Sequence, residues 1–246
     1  MNNRFSLSEK TILVTGASSG IGRAIAIACA EAGARLILNG RNQLRLQSTL
    51  ELLAGEGHEA IQADLTDAEQ RTYLVELLPQ LDGVVHCAGI GSRVLCKMLE
   101  EEDVHHVMNT NFEAPALLQA ELLRGKKIAK DASIVFIASA AATMPSVGNA
   151  IYSASKAALI AYAKCLAQEL ATRKIRVNCI SPAMVWTDLA LVGATEEQLR
   201  EAEQNYPLKR YAQPEDIAPM VVYLLSAEAA WVTGSNMELT GGTLTL

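Results

Sequence analysis

Short unbroken apolar runs alternate along the chain with longer stretches in which apolar residues recur every three or four positions. TILVTG (11–16), RLILNG (35–40), LDGVVHCAG (81–89), ASIVFIAS (132–139) and IRVNCIS (175–181) carry the first pattern, that of strands buried on both faces. GHEAIQA (57–63) is a weaker strand and GSNMELTGG (234–242) a last one. Between them the 3.6-residue period predicts helices over 20–32, 42–53, 67–78, 101–124, 149–172 and 214–225. The alternation predicts an α/β fold with a sheet covered on both faces. One scheme covers 1–246 without linker or repeat, and its polar excursion at 185–214 is a candidate lid or substrate loop.

Composition narrows the function classes. With 50% hydrophobic and 20% charged residues in 246, the chain can build a large core. A net charge of −6 gives no electrostatic case for nucleic acid or an anionic membrane as partner. Lys126, Lys127 and Lys130 read as a solvated helix end, with an acidic ligand or carrier as the other reading. The cysteines, Cys29, Cys87, Cys96, Cys165 and Cys179, are odd in number and lack a C-x-x-C, as expected of reduced thiols in the cytoplasm. MNNRFSLSEK has no long apolar run, so neither secretion nor a membrane span is expected. His58, His86, His105 and His106 form no ligand motif, and no metal is expected.

The first strand runs into a helix through Gly16, Gly20 and Gly22. Missing side chains permit a tight turn and let backbone N–H groups approach a pyrophosphate at the helix start. The spacing differs from G-x-G-x-x-G and lacks the Gly-Lys-Ser/Thr of an ATPase loop. After the second strand, RLILNGRN offers no acid for a ribose hydroxyl but offers Arg41, whose planar fork suits a ribose phosphate. NADP(H) is therefore expected over NAD(H), although Arg41 also reads as a solvated residue at a helix start. Tyr152 and Lys156 stand one helical turn apart on one face, a spacing that helix packing alone also produces.

TGASSGIG, HCAG at 86–89, Asn111 in NTNFEA, Ser139, YSASK at 152–156 and SPAMVWTDL together resemble the short-chain dehydrogenase/reductase family over essentially the whole chain. The resemblance is greatest to its beta-ketoacyl carrier-protein reductases and their small-ketone and sugar-alcohol relatives. It implies a Rossmann-like three-layer sandwich around a central, mostly parallel seven-stranded sheet, with 1–246 as one NAD(P)-binding domain. It also implies an enzyme: an NADPH-dependent oxidoreductase that reduces a ketone or 3-oxoacyl thioester, free or acyl-carrier-linked, with Tyr152 as proton donor. An NADP-dependent alcohol or sugar-alcohol dehydrogenase and a silent dinucleotide-binding scaffold are the alternatives. Lys156 would bind the nicotinamide ribose and lower the phenol's pKa from its usual value near 10. Ser139 would orient the carbonyl, and Asn111 would hold a water on the proton path. Ser18, Ser19 and Ile21 would join the three glycines around the cofactor phosphates. Asp64 would contact adenine with Leu65 beside it, unless it is a helix cap. Ala88 and Gly89 would let the cofactor pass closely, and Pro182, Val185 and Thr187 would lie along nicotinamide and pyrophosphate. A homotetramer is implied, formed in part by the long helices and by the final strand in LTGGTLTL.

Four positions depart from the family pattern. His86 and Cys87 replace a usual Asn-Asn, Ala138 replaces the first of two serines, and Ala183 replaces a glycine after Pro182. An alanine there would resist a positive φ. Ala140, Ala141, Met144, Val147 and Ala183 suggest a small apolar pocket that Trp186 could close, and no arginine cluster announces a carboxylate substrate.

Overall fold

The apolar runs become strands because both of their faces find helices to pack on. The computed structural model describes residues 4–243. The strands are β1 (Thr11–Thr15), β2 (Arg35–Gly40), β3 (Glu59–Gln62), β4 (Leu81–His86), β5 (Ile128–Ile137), β6 (Arg176–Pro182) and β7 (Asn236–Leu239). They form one sheet in the order β3-β2-β1-β4-β5-β6-β7, and every pairing is parallel. The expectation of a mostly parallel sheet is thus met in full.

Strand alternation divides the core in two. Leu13, Val84 and Phe136 face α3 (Ala68–Leu77), α5 (Ala114–Arg124) and α6 (Ala150–Leu170). Ile12, Val14 and Val135 face α1 (Gly20–Glu31), α2 (Gln43–Leu50) and α8 (Pro214–Leu225). The outcome is three layers, helix on sheet on helix.

Two elements differ from expectation. The predicted helix over 101–124 is interrupted: α4 (Glu101–Met108) passes into a π turn at Asn109–Glu113 before α5 begins. Pro115 sits in the first turn of α5 and has no N–H to donate, so one carbonyl of the widened turn loses its helical donor. The 185–214 excursion contains α7 (Glu196–Glu203), started by a capping box in which Thr195 and Gln198 exchange hydrogen bonds with each other's backbone. Its carboxyl end returns to the fold where Val185 bridges Ala212. The carboxyl-terminal expectation reaches past the described residues, since 244–246 lie outside them, as do 1–3 of MNNRFSLSEK.

His86, which replaces the usual amide, is absorbed by the core. Its ring stacks on Phe136 at 4.5 Å and 9°, and its Nε2 meets Gln119 Oε1 at 3.0 Å. Burial holds its pKa down to about 4, so it is neutral at physiological pH. Phe136 is fully buried and also meets Tyr162 edge-on at 5.8 Å. Phe136→Ala is expected to lower stability by about 3–5 kcal/mol, measured as the loss in urea-unfolding free energy; a loss under about 1 kcal/mol would mean that this ring does not anchor the central strands.

Candidate active site

In a parallel sheet all strands end on the same side, and strand order reverses where β1 lies between β2 and β4. A crevice opens there beyond the carboxyl ends. It is a cavity of about 1260 Å³ bordered by the segments that follow β1 to β6. Every cofactor residue expected from the sequence borders it, as do Ser139, Tyr152 and Lys156. Asn111 does not, and stands one layer behind Gly89.

The glycine turn is shaped by close approaches. A Cβ on Gly22 would lie 2.3 Å from the Gly16 carbonyl oxygen, and one on Gly16 would lie 2.8 Å from Ala88 Cα, with φ of +67° at Gly16. Only glycine fits either place. Arg23 donates to the Ser18 carbonyl at 2.6 Å and to Thr49 Oγ1 at 3.0 Å, and Thr49 donates to the Ala17 carbonyl at 2.9 Å. The turn's carbonyls are thereby drawn outward. Ser19 precedes α1 without a side-chain capping bond, which leaves its hydroxyl available beside the helix start. This cradle fits a pyrophosphate.

At the next strand end, Arg41 is largely exposed and its Nη1 lies 3.9 Å from Asp64 Oδ2. Asp64 Oδ1 accepts from the Thr66 amide at 2.9 Å and hydroxyl at 2.7 Å. The helix-cap reading of Asp64 is corrected, because Asp67 caps α3. Leu65 is buried in the core beneath the cavity edge. Thr187 methyl is 3.1 Å from where a Gly20 Cβ would be, so the segment after β6 touches the glycine turn. Ala183 is not among the positive-φ residues, and the anticipated strain there does not arise.

Three catalytic candidates share one wall. Lys156 is 5% exposed and donates from Nζ to the Ile137 carbonyl at 2.9 Å. Nζ also lies 5.9 Å from the centre of the Tyr152 ring. Ser139, two residues beyond that carbonyl, accepts from the Ala141 amide at 3.1 Å. Asn111 is fully buried; its Oδ1 accepts from the Ile90 amide at 2.8 Å, and its Nδ2 donates to the Ile90 carbonyl at 3.0 Å and Ser155 Oγ at 3.1 Å. Both Nδ2 protons are committed, so the side chain has no donor left to offer a water.

Burial governs the electrostatics. It pulls the Lys156 ammonium down to about 8 and raises the Tyr152 phenol, with Ser139 favouring the phenolate as the smaller effect. The expectation that the lysine lowers the tyrosine is therefore not met in this state. The ammonium sits on the Ile137 carbonyl, and desolvation is the largest influence on the phenol.

Other expectations concern the rim. Lys127 donates to the Glu76 and Leu78 carbonyls at 3.2 and 2.5 Å, so it caps α3 rather than facing a carrier. Trp186 donates to Glu203 at 2.9 Å and packs on Tyr211 at 5.8 Å, fixing the base of the excursion. Cys87, Arg93, Tyr206 and Tyr211 also border the cavity. Apart from the departure at Cys87, no sequence signal marked them.

The chain is similar to known proteins over nearly all of its length. A family model described as Enoyl-(Acyl carrier protein) reductase matches residues 16–243. The 3-oxoacyl-acyl-carrier-protein reductase FabG of Rickettsia felis is 35% identical over 239 residues, 97% of this chain and 98% of that protein. L-xylulose reductase of Caenorhabditis elegans is 32% identical over 249 residues, covering 98% of each. A crystal structure of a single-substitution variant of actinorhodin polyketide ketoreductase with NADPH superposes with a TM-score of 0.89 at 30% identity, covering 95% of this chain and 96% of that one.

A buried lysine whose pKa falls from 10.5 to about 8 opposes folding while charged. The folded state binds fewer protons than the unfolded between those values, so the opposition is full below pH 8 and gone above 10.5. Lys156→Met is expected to be inactive yet more stable than the parent at pH 7, by up to about 3 kcal/mol. Urea unfolding of both proteins should show that advantage shrinking as pH rises through the window; an advantage that does not change with pH would contradict it.

Proposed function

We propose, from the premise that the chain belongs to the short-chain dehydrogenase/reductase family, that it is an NADPH-dependent carbonyl reductase with Tyr152 as proton donor. The family and its FabG-type relatives carry the coarser statement, an oxidoreductase of ketone or oxoacyl reduction. The observation that supports the finer one is the convergence of Ser139, Tyr152 and Lys156 on one wall of a cleft whose floor is the glycine turn.

When bound in this cleft, NADPH would supply the hydride for the carbonyl carbon. Tyr152 gives its phenolic proton to the carbonyl oxygen, completing the alcohol, and Ser139 donates a hydrogen bond to that oxygen as charge develops on it. The raised pKa of Tyr152 keeps the phenol protonated before the step. Lys156, poised near neutrality, returns a proton toward the phenolate. A water held at a carbonyl of the π turn around Asn111 would connect Lys156 to solvent. Gly16, Ser18, Ser19, Gly20, Ile21 and Gly22 would hold the pyrophosphate, and Arg41 would hold the ribose phosphate in preference to its 3.9 Å approach to Asp64. Asp64 and Leu65 would border the adenine, and Ala88, Gly89, Pro182, Val185 and Thr187 would line the nicotinamide half.

The protein acts in the cytoplasm as a homotetramer on a small-molecule carbonyl compound. Unpaired cysteines support the compartment, and exposed Met98, Leu117 and Trp231 support association through apolar surface. No helix of the described residues is long and apolar enough to cross a membrane. If the substrate rides on an acyl carrier, Lys126 and Lys130 are the exposed cations left to meet it, since Arg173, like Lys127, is engaged by a backbone carbonyl.

The test is steady-state NADPH oxidation with acetoacetyl thioesters, small diketones and sugar ketones. Tyr152→Phe is expected to lower turnover at least about 100-fold, and Arg41→Ala to raise the KM for NADPH about 10-fold or more with little effect on NADH. Silence with every ketone, or equal use of the two cofactors by the parent and Arg41→Ala, would refute the corresponding part.

A further inference from the structure

The substrate side of the cleft carries a charge that the protein does not neutralise. Arg93, in the loop between β4 and α4, borders the cavity. Among the described residues its guanidinium has neither an ion pair nor a hydrogen bond. Several other charges of the cavity wall and of the excursion have partners of their own. Asp188 meets Arg45 at 3.4 Å, and Glu203 accepts from the Trp186 indole at 2.9 Å and the Tyr211 amide at 3.2 Å. Arg200 holds Glu196 at 2.6 Å, Arg210 holds Asp216 at 2.9 Å, and Lys156 is on the Ile137 carbonyl.

The arginine is nonetheless positioned. A Cβ on Gly193 would lie 3.0 Å from Arg93 Cδ and one on Gly148 would lie 3.3 Å from Cγ, so the stem packs against two glycines, both at positive φ. The Val94 amide donates to the Gly148 carbonyl at 2.9 Å, tying this loop to the segment before α6. Gly91, two residues earlier, packs on Leu189 and Val192 of the excursion. Tyr211 borders the same cavity, and its hydroxyl has no hydrogen-bond partner among the described residues. Burial and then the Glu203 carboxylate raise its pKa, and the charge of Arg93 acts in the opposite direction as the smallest of the three influences.

We infer that Arg93, with the Tyr211 hydroxyl as a second donor, recognises an anionic oxyacid group, so that the substrate is an oxo compound carrying a carboxylate or a phosphate. A planar guanidinium suits either group, and Arg93, exposed at the cavity rim, can meet a ligand's anionic end with both of its fork nitrogens. This inference rests on the carbonyl-reductase reading and names the substrate class of that same site.

Two matched pairs of compounds test it: levulinate against methyl levulinate, and dihydroxyacetone phosphate against dihydroxyacetone. NADPH-driven reduction and calorimetric binding would both be measured for the parent, Arg93→Gln and Arg93→Lys. For one pair, Arg93→Gln should lower kcat/KM for the anion about 10-fold or more through KM, leave the neutral partner unchanged, and be partly rescued by Arg93→Lys. The pair that responds identifies carboxylate or phosphate. An anion-to-neutral ratio unchanged by Arg93→Gln in both pairs would overturn the inference. The binding arm needs no turnover: Arg93-dependent anion binding without reduction of either anion would keep the anion site and overturn its assignment to the substrate, whereas no Arg93-dependent binding, with ketones of the wider panel still reduced, would overturn the inference and leave the reductase reading standing.

Discussion

The Lys156 ammonium is buried with one backbone carbonyl, that of Ile137 at 2.9 Å, to hold it, and the rest of the site is arranged around that charge. Burying an ammonium without a carboxylate is costly. The cost appears as the fall of its pKa to about 8. Space for it exists because Gly89 has no side chain: a Cβ there would come within 3.3 Å of Nζ and 3.2 Å of Asn111 Oδ1. The strand that offers the carbonyl also carries Ser139 two residues on, and the helix that carries the lysine places Tyr152 one turn before it. One charge thus couples the ends of β4 and β5 to the start of α6.

That coupling depends on the sheet. Parallel strands deliver their carboxyl ends to one side, and the reversal of order at β1 leaves the crevice between them. The glycine turn can sit against Ala88 only because Gly16 and Gly22 lack side chains. Thr15 Oγ1 then accepts from the Cys87 and Ala88 amides at 3.0 and 3.2 Å, joining the floor to the segment beside the lysine. Substitution of His86 for an amide is tolerated because stacking on Phe136 and the contact with Gln119 fill the space within the core.

What the sequence made legible was whatever a local pattern encodes. Apolar runs gave five strands firmly, β3 weakly and β7 as a plausible last strand, and the residues at strand ends gave the cleft, since topology brings those ends together regardless of detail. The π turn at Asn109–Glu113 was hidden because inserting one residue leaves the apolar period readable on either side, and only Pro115 marked it. Likewise α7 lies in a polar stretch whose capping box is its main signal. Arg93, Gly148, Gly193 and Tyr211 converge from four separate segments, a meeting that no local pattern records. The direction of the Tyr152 shift was misjudged for a related reason: proximity in sequence gave the lysine's charge, but not the burial that dominates the phenol.

The most direct measurement is the titration of Lys156 itself, followed by heteronuclear NMR of its ε-carbon and ζ-nitrogen and assigned with Lys156→Met. The buried ammonium on the Ile137 carbonyl should titrate with a midpoint near the value of about 8. A midpoint at the ordinary lysine value of about 10.4 would mean that the charge is solvated or paired, and that the site is not built around it.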